Sequence, residues 1–479
     1  MIRRSASSLA FTALVALAAP PLHAQQSLAP HQRLAREVYR ELIEINTADS
    51  VGSVTRAAEA MARRFRAAGF PARDVQILVP PGKPTKGNLV VRYRGRGGPG
   101  AGKPILLLAH LDVVAALRSD WTLDPFAFTE RDGYFYGRGT SDDKAMASIF
   151  VANLLQDRRN GWVPDRDLIL ALTADEEGGD ANGVEFLLAR HRDLIDAAFA
   201  INEGGGGSLR DGKPFLNSVQ AAEKIYADFT LTARNRGGHS SVPRPDNAIY
   251  QLVDALARVA RYQFPVQLNE VSRTFFERTA TLEVPAVAAA MRAVVANPAD
   301  SAAAAVLARD PRYNSMLRTT CVATRLSGGH AYNALPQTAT ANVNCRIVPT
   351  SNPREARAAL ARVVADTGIQ ITETNALGDR GDPVPSPLTA ELMDPVTSIT
   401  HELFGENVPV IPVMSTGATD GRWLRSAGIP TYGVSGLFGD PNDSRAHGRD
   451  ERMLVKSYFD GQEFLNRLVH RLAGGKPIS

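Results

Sequence analysis

His110 and Asp112 stand two residues apart, just after an apolar run at 105–109. Asp175, Glu176 and Glu177 follow a second run at 168–174, and Glu203 ends a third that begins at Ala197. Asp142 and Asp143 immediately precede Lys144, where a helix is expected. Imidazole and carboxylate are groups that hold divalent cations such as zinc, cobalt or manganese. Carboxylates packed so closely repel one another, and divalent cations are the natural remedy. The two cysteines, Cys321 and Cys345, lack CxxC spacing and are too few for a thiolate site. A metal here must rest on histidine and carboxylate. Taken singly, each feature has a plainer reading: an HxD pair is commonly structural, and a DEE triplet is commonly a surface turn. Their conjunction, each after an apolar run, points to a site.

The runs at 105–109, 168–174 and 197–201 are short and apolar throughout, as strands buried on both faces are. A helix over 144–155 separates the first two. Strands alternating with helices predict a mostly parallel sheet with helices on both faces. Ligands of such sheets bind at the carboxyl ends of the strands, so residues distant in sequence converge on one edge. Residues 33–68 keep helical spacing and 88–93 can form a strand. After Ser218 the pattern changes. Residues 226–232 alternate polar and apolar, a helix follows over 247–262, and an Ala-rich helical stretch at 286–308 is interrupted at Asn297 and Pro298. Residues 338–347 alternate, with Val343, Cys345 and Ile347 on one face and Asn342, Asn344 and Arg346 on the other. A helix at 390–404 and a strand at 431–435 restore the α/β pattern. The reading is an α/β catalytic domain, 25–218 and 350–479, interrupted by an inserted α+β domain at 219–349.

The 479 residues are 44% hydrophobic and 22% charged, which excludes a disordered chain, a coiled coil or a collagen-like repeat. The formal net charge is +4, without a basic stripe interleaved with aromatics, so nucleic acid is not an expected partner. Residues 1–24 read as a secretory signal peptide. Arg3 and Arg4 open it, an apolar run fills 9–19, and Pro20 and Pro21 precede a small-residue exit. That run is too short to span a bilayer. The mature protein is therefore expected in the periplasm or medium, with no membrane attachment once the signal is removed.

Eight segments carry a wider pattern: LLLAHLDVV (106–114), YGRGTSDDKA (136–145), LTADEEGG (172–179), INEGG (201–205), GGHSSVP (237–243), NALP (333–336), TGATDGRWLRSAGIPTYG (416–433) and AHGRDERM (446–453). In these the chain resembles metallopeptidase family 20, the dinuclear zinc hydrolases that include aminoacylases, glutamate carboxypeptidase and succinyl-diaminopimelate desuccinylase. The resemblance implies a zinc-exopeptidase-like α/β fold, with the inserted domain serving as lid and dimerisation domain of a homodimer. It implies that His110 and Glu203 hold one Zn2+, that Glu177 and His447 hold the other, and that Asp142 bridges both, with Co2+ or Mn2+ as alternatives. It further implies that Asp112 hydrogen-bonds His110, that Glu176 is the general base, and that His239 completes the site of the other subunit. Arg346 and Asn333 on the lid would hold substrate. The implied activity is hydrolysis of an amide next to a free carboxylate, in a small peptide or an N-acyl amino acid. Physical chemistry agrees: one imidazole, one carboxylate and a share of Asp142 leave each ion open to water, as catalytic sites require.

Two other readings compete. A non-catalytic binding relative of the same fold would normally have lost a ligand or the base. An aminopeptidase would not need the inserted domain with its His239 and Arg346. His31, His191, His401 and His470 read as surface residues, while His330, beside NALP, is open to a substrate contact. The glycine run at 204–207 lacks the Gly-Lys-Ser/Thr ending of a phosphate loop. The strand at 338–347 is expected to pair antiparallel with 319–326, which sets Cys321 opposite Cys345 and permits a disulfide in an oxidising compartment. The stretch around 265–320 has no assigned purpose.

Overall fold

The structure, a computed structural model, describes residues 28–97, 101–374 and 383–477. The expected signal peptide lies outside them. Among the described residues no helix is long and apolar enough to cross a membrane.

The expected mixed sheet is present and has ten strands. At its centre Leu168–Thr173, Ile105–His110, Phe199–Asn202 and Thr431–Gly433 lie side by side, all parallel. Asn88–Tyr93 adds to Leu168–Thr173 antiparallel, and Val75–Leu78 closes that edge. Beyond Thr431–Gly433 come Lys213–Glu223, Gly207–Arg210 and Phe438–Gly439, with Val410–Ser415 pairing parallel to Lys213–Glu223. The apolar runs are continuous because both faces are covered. Leu107, Ala109, Leu170 and Leu172 enter one core, under helices that include Pro30–Glu44, Lys144–Arg159 and Val455–Ala473. Leu106, Leu108, Ile169 and Ala171 enter another, with Val184, Leu187 and Leu424.

A second, antiparallel sheet runs Thr320–Gly328, Thr338–Ile347, Ile225–Arg234, Ile369–Glu373. Helices Ala248–Arg261 and Pro353–Val364 cover one face, where Leu252, Val343, Ile347 and Leu360 share a core. Cys321 and Cys345 are register partners with Cα atoms 4.1 Å apart, and they form a disulfide. The opposite face carries Arg346, Asn342 and Asn344, and both asparagines donate to Asp228 Oδ1 at 2.9 Å.

The sheets change over at other places than the composition suggests. Lys213–Glu223 crosses position 218 as a strand of the large sheet, because Val219, Ala221 and Ala222 are buried in the main core. Past 349, Pro353–Val364 and Ile369–Glu373 still belong to the second sheet, whose inner face they complete. The helices Glu270–Thr279, Pro285–Ala296, Ser301–Leu307 and Pro311–Leu317 form a core of their own. They sit against the large sheet. Arg278 Nη1 donates to Val410 O at 2.6 Å, and Val271 enters the main core. This block covers the outer strand Val410–Ser415, whose free backbone edge would otherwise be open to pairing.

Candidate active site

Parallel strands that are neighbours in the sheet end at the same edge. His110 is the last residue of its strand, Asp175–Glu177 lie just past Leu168–Thr173, and Glu203 directly follows Phe199–Asn202. Asp142 arrives on the loop before Lys144–Arg159, and His447 on the loop before Arg452–Leu454. Asp175 and His447 both hold left-handed backbone, with φ of 58° and 61°. Such conformations are costly for non-glycine residues and concentrate at functional sites.

Asp142 stands between the two imidazoles. Its Oδ1 lies 2.9 Å from His110 Nε2 and its Oδ2 lies 3.1 Å from His447 Nε2. Glu203 Oε1 is 3.8 Å from His110 Nε2, and Glu177 Oε2 is 2.9 Å from His447 Nε2. The ligand-type atoms of His110, Asp142 and Glu177 all fall within 4.8 Å of one another, as do those of His110, Glu176 and Glu203. Imidazole with carboxylate is a donor set that suits divalent zinc, cobalt or manganese, so the residues fit a two-ion site. His110 Nδ1 donates to Asp112 O at 3.0 Å, with Asp112 Oδ1 at 3.5 Å, which leaves the Nε2 lone pair free for a ligand role. The Asp112 carboxylate also accepts Glu176 N–H at 3.2 Å and Glu177 N–H at 3.0 Å. One aspartate thus orients the imidazole and fixes the turn that bears both glutamates.

The electrostatics follow from burial and crowding. Burial opposes a charge on His110, but its hydrogen bonds to Asp112 and Asp142 outweigh it and hold the imidazole well above its usual range. The hydrogen bond to Asp142 pushes His447 up to about 9, with Glu177 adding to it. Burial pushes Glu176 up to about 8, opposed by His110 and reinforced by Asp420. Burial, reinforced by Asp142, lifts Glu177 to about 7, and burial lifts Glu203 well above the carboxylate range.

Two braces hold this cluster that the motif spacing does not reveal. Glu451 is fully buried. It accepts Arg138 Nη1 at 2.7 Å, Ser141 N–H at 2.7 Å, Ser141 Oγ at 2.8 Å and Asp142 N–H at 3.2 Å. Arg138 Nη2 donates to Gly448 O at 3.0 Å, so one buried pair ties the Asp142 loop to the His447 loop. Glu223, the last residue of its strand, accepts Thr419 Oγ1 at 2.6 Å and Gln220 Nε2 at 2.8 Å, and pairs with Arg425 Nη1 at 2.9 Å. It fixes the loop leading to Asp420.

A cavity of about 410 Å³ opens over Asp142, Glu176, Glu177, Glu203 and His447. The second sheet supplies part of its wall through Tyr226 and Arg346, and Thr419, Asp420 and Arg422 complete it. The Arg346 guanidinium lies 4.6 Å from the Tyr226 ring centroid. Tyr226, Asp420 and Arg422 were not singled out from the sequence, although the last two lie inside the 416–433 motif. His239 and Asn333 are elsewhere. His239 is exposed on the short strand Gly238–His239, where its Nδ1 meets Ser241 Oγ at 2.7 Å. It pairs with Ala334, next to the exposed Asn333, whose carbonyl accepts Ser240 N–H. Neither lines this cavity, nor does the exposed His330.

A profile of Peptidase family M20/M25/M40 matches residues 106–471. The human (Homo sapiens) N-fatty-acyl-amino acid synthase/hydrolase is 29% identical over 380 residues, which is 77% of this chain and 74% of that protein. A probable carboxypeptidase S-like protein 2 of Dictyostelium discoideum is 28% identical, over 80% of this chain and 74% of its own. Among solved structures, the M20 family metallo-carboxypeptidase Sso-CP2 of Sulfolobus solfataricus superposes with a TM-score of 0.67 at 18% identity, covering 92% of this chain and 99% of that one.

Proposed function

Since the chain belongs to peptidase family M20/M25/M40, a family of metallo-peptidases and amidohydrolases, we propose that it hydrolyses amides next to a free carboxylate, in short peptides or N-acyl amino acids. The observation that carries this reading is the placement of Arg346, which comes from the second sheet yet faces the same cavity as the His and carboxylate cluster. Guanidinium grips a carboxylate with two parallel hydrogen bonds, which sets the direction of the bound amide. His110 and Glu203 would hold one divalent ion and His447 and Glu177 the other, with Asp142 between them; the distances to its two oxygens support that division. Two such ions, when bound, lower the pKa of a water and polarise the amide carbonyl. Glu176 then accepts the water's proton and delivers it to the amine nitrogen as the C–N bond breaks. Its place on the cavity wall, next in the chain to Glu177, supports that role. Arg346 and Tyr226 hold the substrate's carboxylate end.

His239 and Asn333 enter this scheme from a second subunit. The outer strand Thr320–Gly328, with Val322 and Leu326 largely exposed, is the surface that a partner copy would cover. Export to the periplasm or medium is supported by the leader-like residues 1–24 and by the disulfide, which suits an oxidising compartment.

The test compares substrates with a free and an amidated carboxylate. Either amidation or Arg346→Ala should lower kcat/KM by about 2–4 kcal/mol of transition-state stabilisation. The two changes together should cost little more than either alone. Equal cleavage of free and amidated substrates by the wild type would remove the carboxylate clamp.

A further inference from the structure

The polar face of the second sheet carries a ladder of side chains that ends at the cavity. Between Ile225–Arg234 and Thr338–Ile347, Tyr226 is the register partner of Arg346, Asp228 of Asn344 and Thr230 of Asn342. Residues two apart on a strand share a face, so all six lie opposite Ala227, Phe229, Val343 and Cys345 of the core. Tyr226 and Arg346, at one end of the ladder, line the cavity over the His and carboxylate cluster.

Asp228 stands at the centre of this ladder. Its Oδ2 accepts the Tyr226 hydroxyl at 2.6 Å, and its Oδ1 accepts Asn342 Nδ2 and Asn344 Nδ2, each at 2.9 Å. Asn342 Nδ2 also donates to Thr324 Oγ1 on the next strand, at 2.8 Å. Hydrogen bonds to an ionised carboxylate are shorter and stronger than neutral ones, so the phenol is held firmly. A phenol has one proton to give. Here it goes to Asp228, and Tyr226 meets Arg346 with its ring, whose centroid lies 4.6 Å from the guanidinium carbon. That separation is within the reach of a cation–π attraction.

The Arg346 guanidinium depends on this support. Among the described residues it makes one hydrogen bond, a long one, from Nη1 to Thr416 O at 3.5 Å. Its other donors are left for a ligand. A planar fork grips a carboxylate through two parallel bonds only when its plane is fixed.

We propose that Asp228 is a positioning residue for the carboxylate clamp: by fixing the Tyr226 phenol it sets the attitude of the Arg346 guanidinium, and the preference for a free over a blocked carboxylate depends on it. This rests on the clamp proposed above. Asp228 does not line the cavity, so it acts through Tyr226 and Arg346 and not on the substrate.

The test uses the full chain loaded with zinc, an N-acyl amino acid with a free carboxylate, and its amide. Asp228→Ala and Tyr226→Phe should each lower the free-acid-to-amide ratio of kcat/KM by about tenfold, the scale of one hydrogen bond to a charged group. The double variant should lose no more than either alone, and neither change should matter once Arg346 is replaced by Ala. Tyr226→Phe removes a single hydroxyl, so it carries the test if Asp228→Ala does not fold. An unchanged ratio in Tyr226→Phe, or equal losses for acid and amide, would overturn the positioning role and leave the clamp standing. Losses that persist in the Arg346→Ala background would do the same. Loss in Asp228→Ala alone would show that this carboxylate acts by its charge, and would overturn the route through Tyr226. A wild type that cleaves acid and amide equally would remove the clamp itself, and with it anything for Asp228 to position.

Discussion

Glu176 and Glu177 are consecutive in the chain and differ in their surroundings. Glu177 reaches His447 at 2.9 Å, whereas Glu176 is held up to about 8 by burial, with Asp420 adding to it. Replacing Glu176 by Gln keeps the volume and removes the base. Metal content should survive while kcat falls by about two orders of magnitude or more, the usual contribution of a general base. Near-normal turnover would move the proton transfer to another group. His110, Glu176, Glu177 and Glu203 are legible in the sequence because each follows an apolar run, and their convergence needs only parallel strands, whereas His447, on a loop, is reached only through the family resemblance. Glu451 and Arg138 are not legible. A buried pair between distant loops leaves no periodic signal, and its two members look like ordinary charged loop residues until the loops are side by side. Tyr226 escaped for a related reason: on an alternating strand it reads as a solvated position, and only the packing of the second sheet over the cavity gives it a neighbour in Arg346.

The strands and helices were read well where burial is two-sided or cleanly alternating. Ile105–His110 and Thr338–Ile347 fall within a residue of the expected limits. The changeover between sheets was misread because Lys213–Glu223 and Ile225–Arg234 follow one another with only Lys224 between them. That lysine is a joint. Its ammonium donates to Ser315 O at 2.7 Å, Arg318 O at 2.8 Å and Thr320 Oγ1 at 3.1 Å, linking both sheets to the helical block. Burial, with Arg346 nearby, pushes it down to about 7 from an ordinary 10.5. Between those values the unfolded chain binds more protons than the folded one, so this residue makes stability rise with pH over that window. Below about 7 both states carry the proton and the slope vanishes. In urea unfolding, wild-type stability relative to Lys224→Met should therefore increase from neutral towards alkaline pH. A difference that stays constant across that range would show that the amine keeps its ordinary proton affinity.

At the scale of the whole molecule, the cavity is shared between two sheets that meet at one joint, and two of the residues implied in substrate handling do not line it. His239 and Asn333 are exposed at a separate two-stranded sheet, Gly238–His239 with Ala334–Leu335, and among the described residues the edge strand Thr320–Gly328 has no partner on its outer side. If a second copy supplies His239, mixing His239→Ala with Glu176→Gln should restore activity to hybrid dimers, although each variant alone is inactive. A fully active monomer would falsify that arrangement.

The proposed hydrolysis requires two divalent ions, held by the cluster around Asp142. Elemental analysis of the purified protein, paired with N-acyl amino acid hydrolysis before chelation, after it and on restoring zinc, for wild type and Asp142→Ala, reads both properties at once. Two ions per chain are expected in the wild type, with activity that is lost on chelation and regained with zinc, and both ions should be lost in Asp142→Ala. A wild type that hydrolyses the amide at full rate with no bound divalent metal, or an Asp142→Ala variant that keeps both ions, would contradict it.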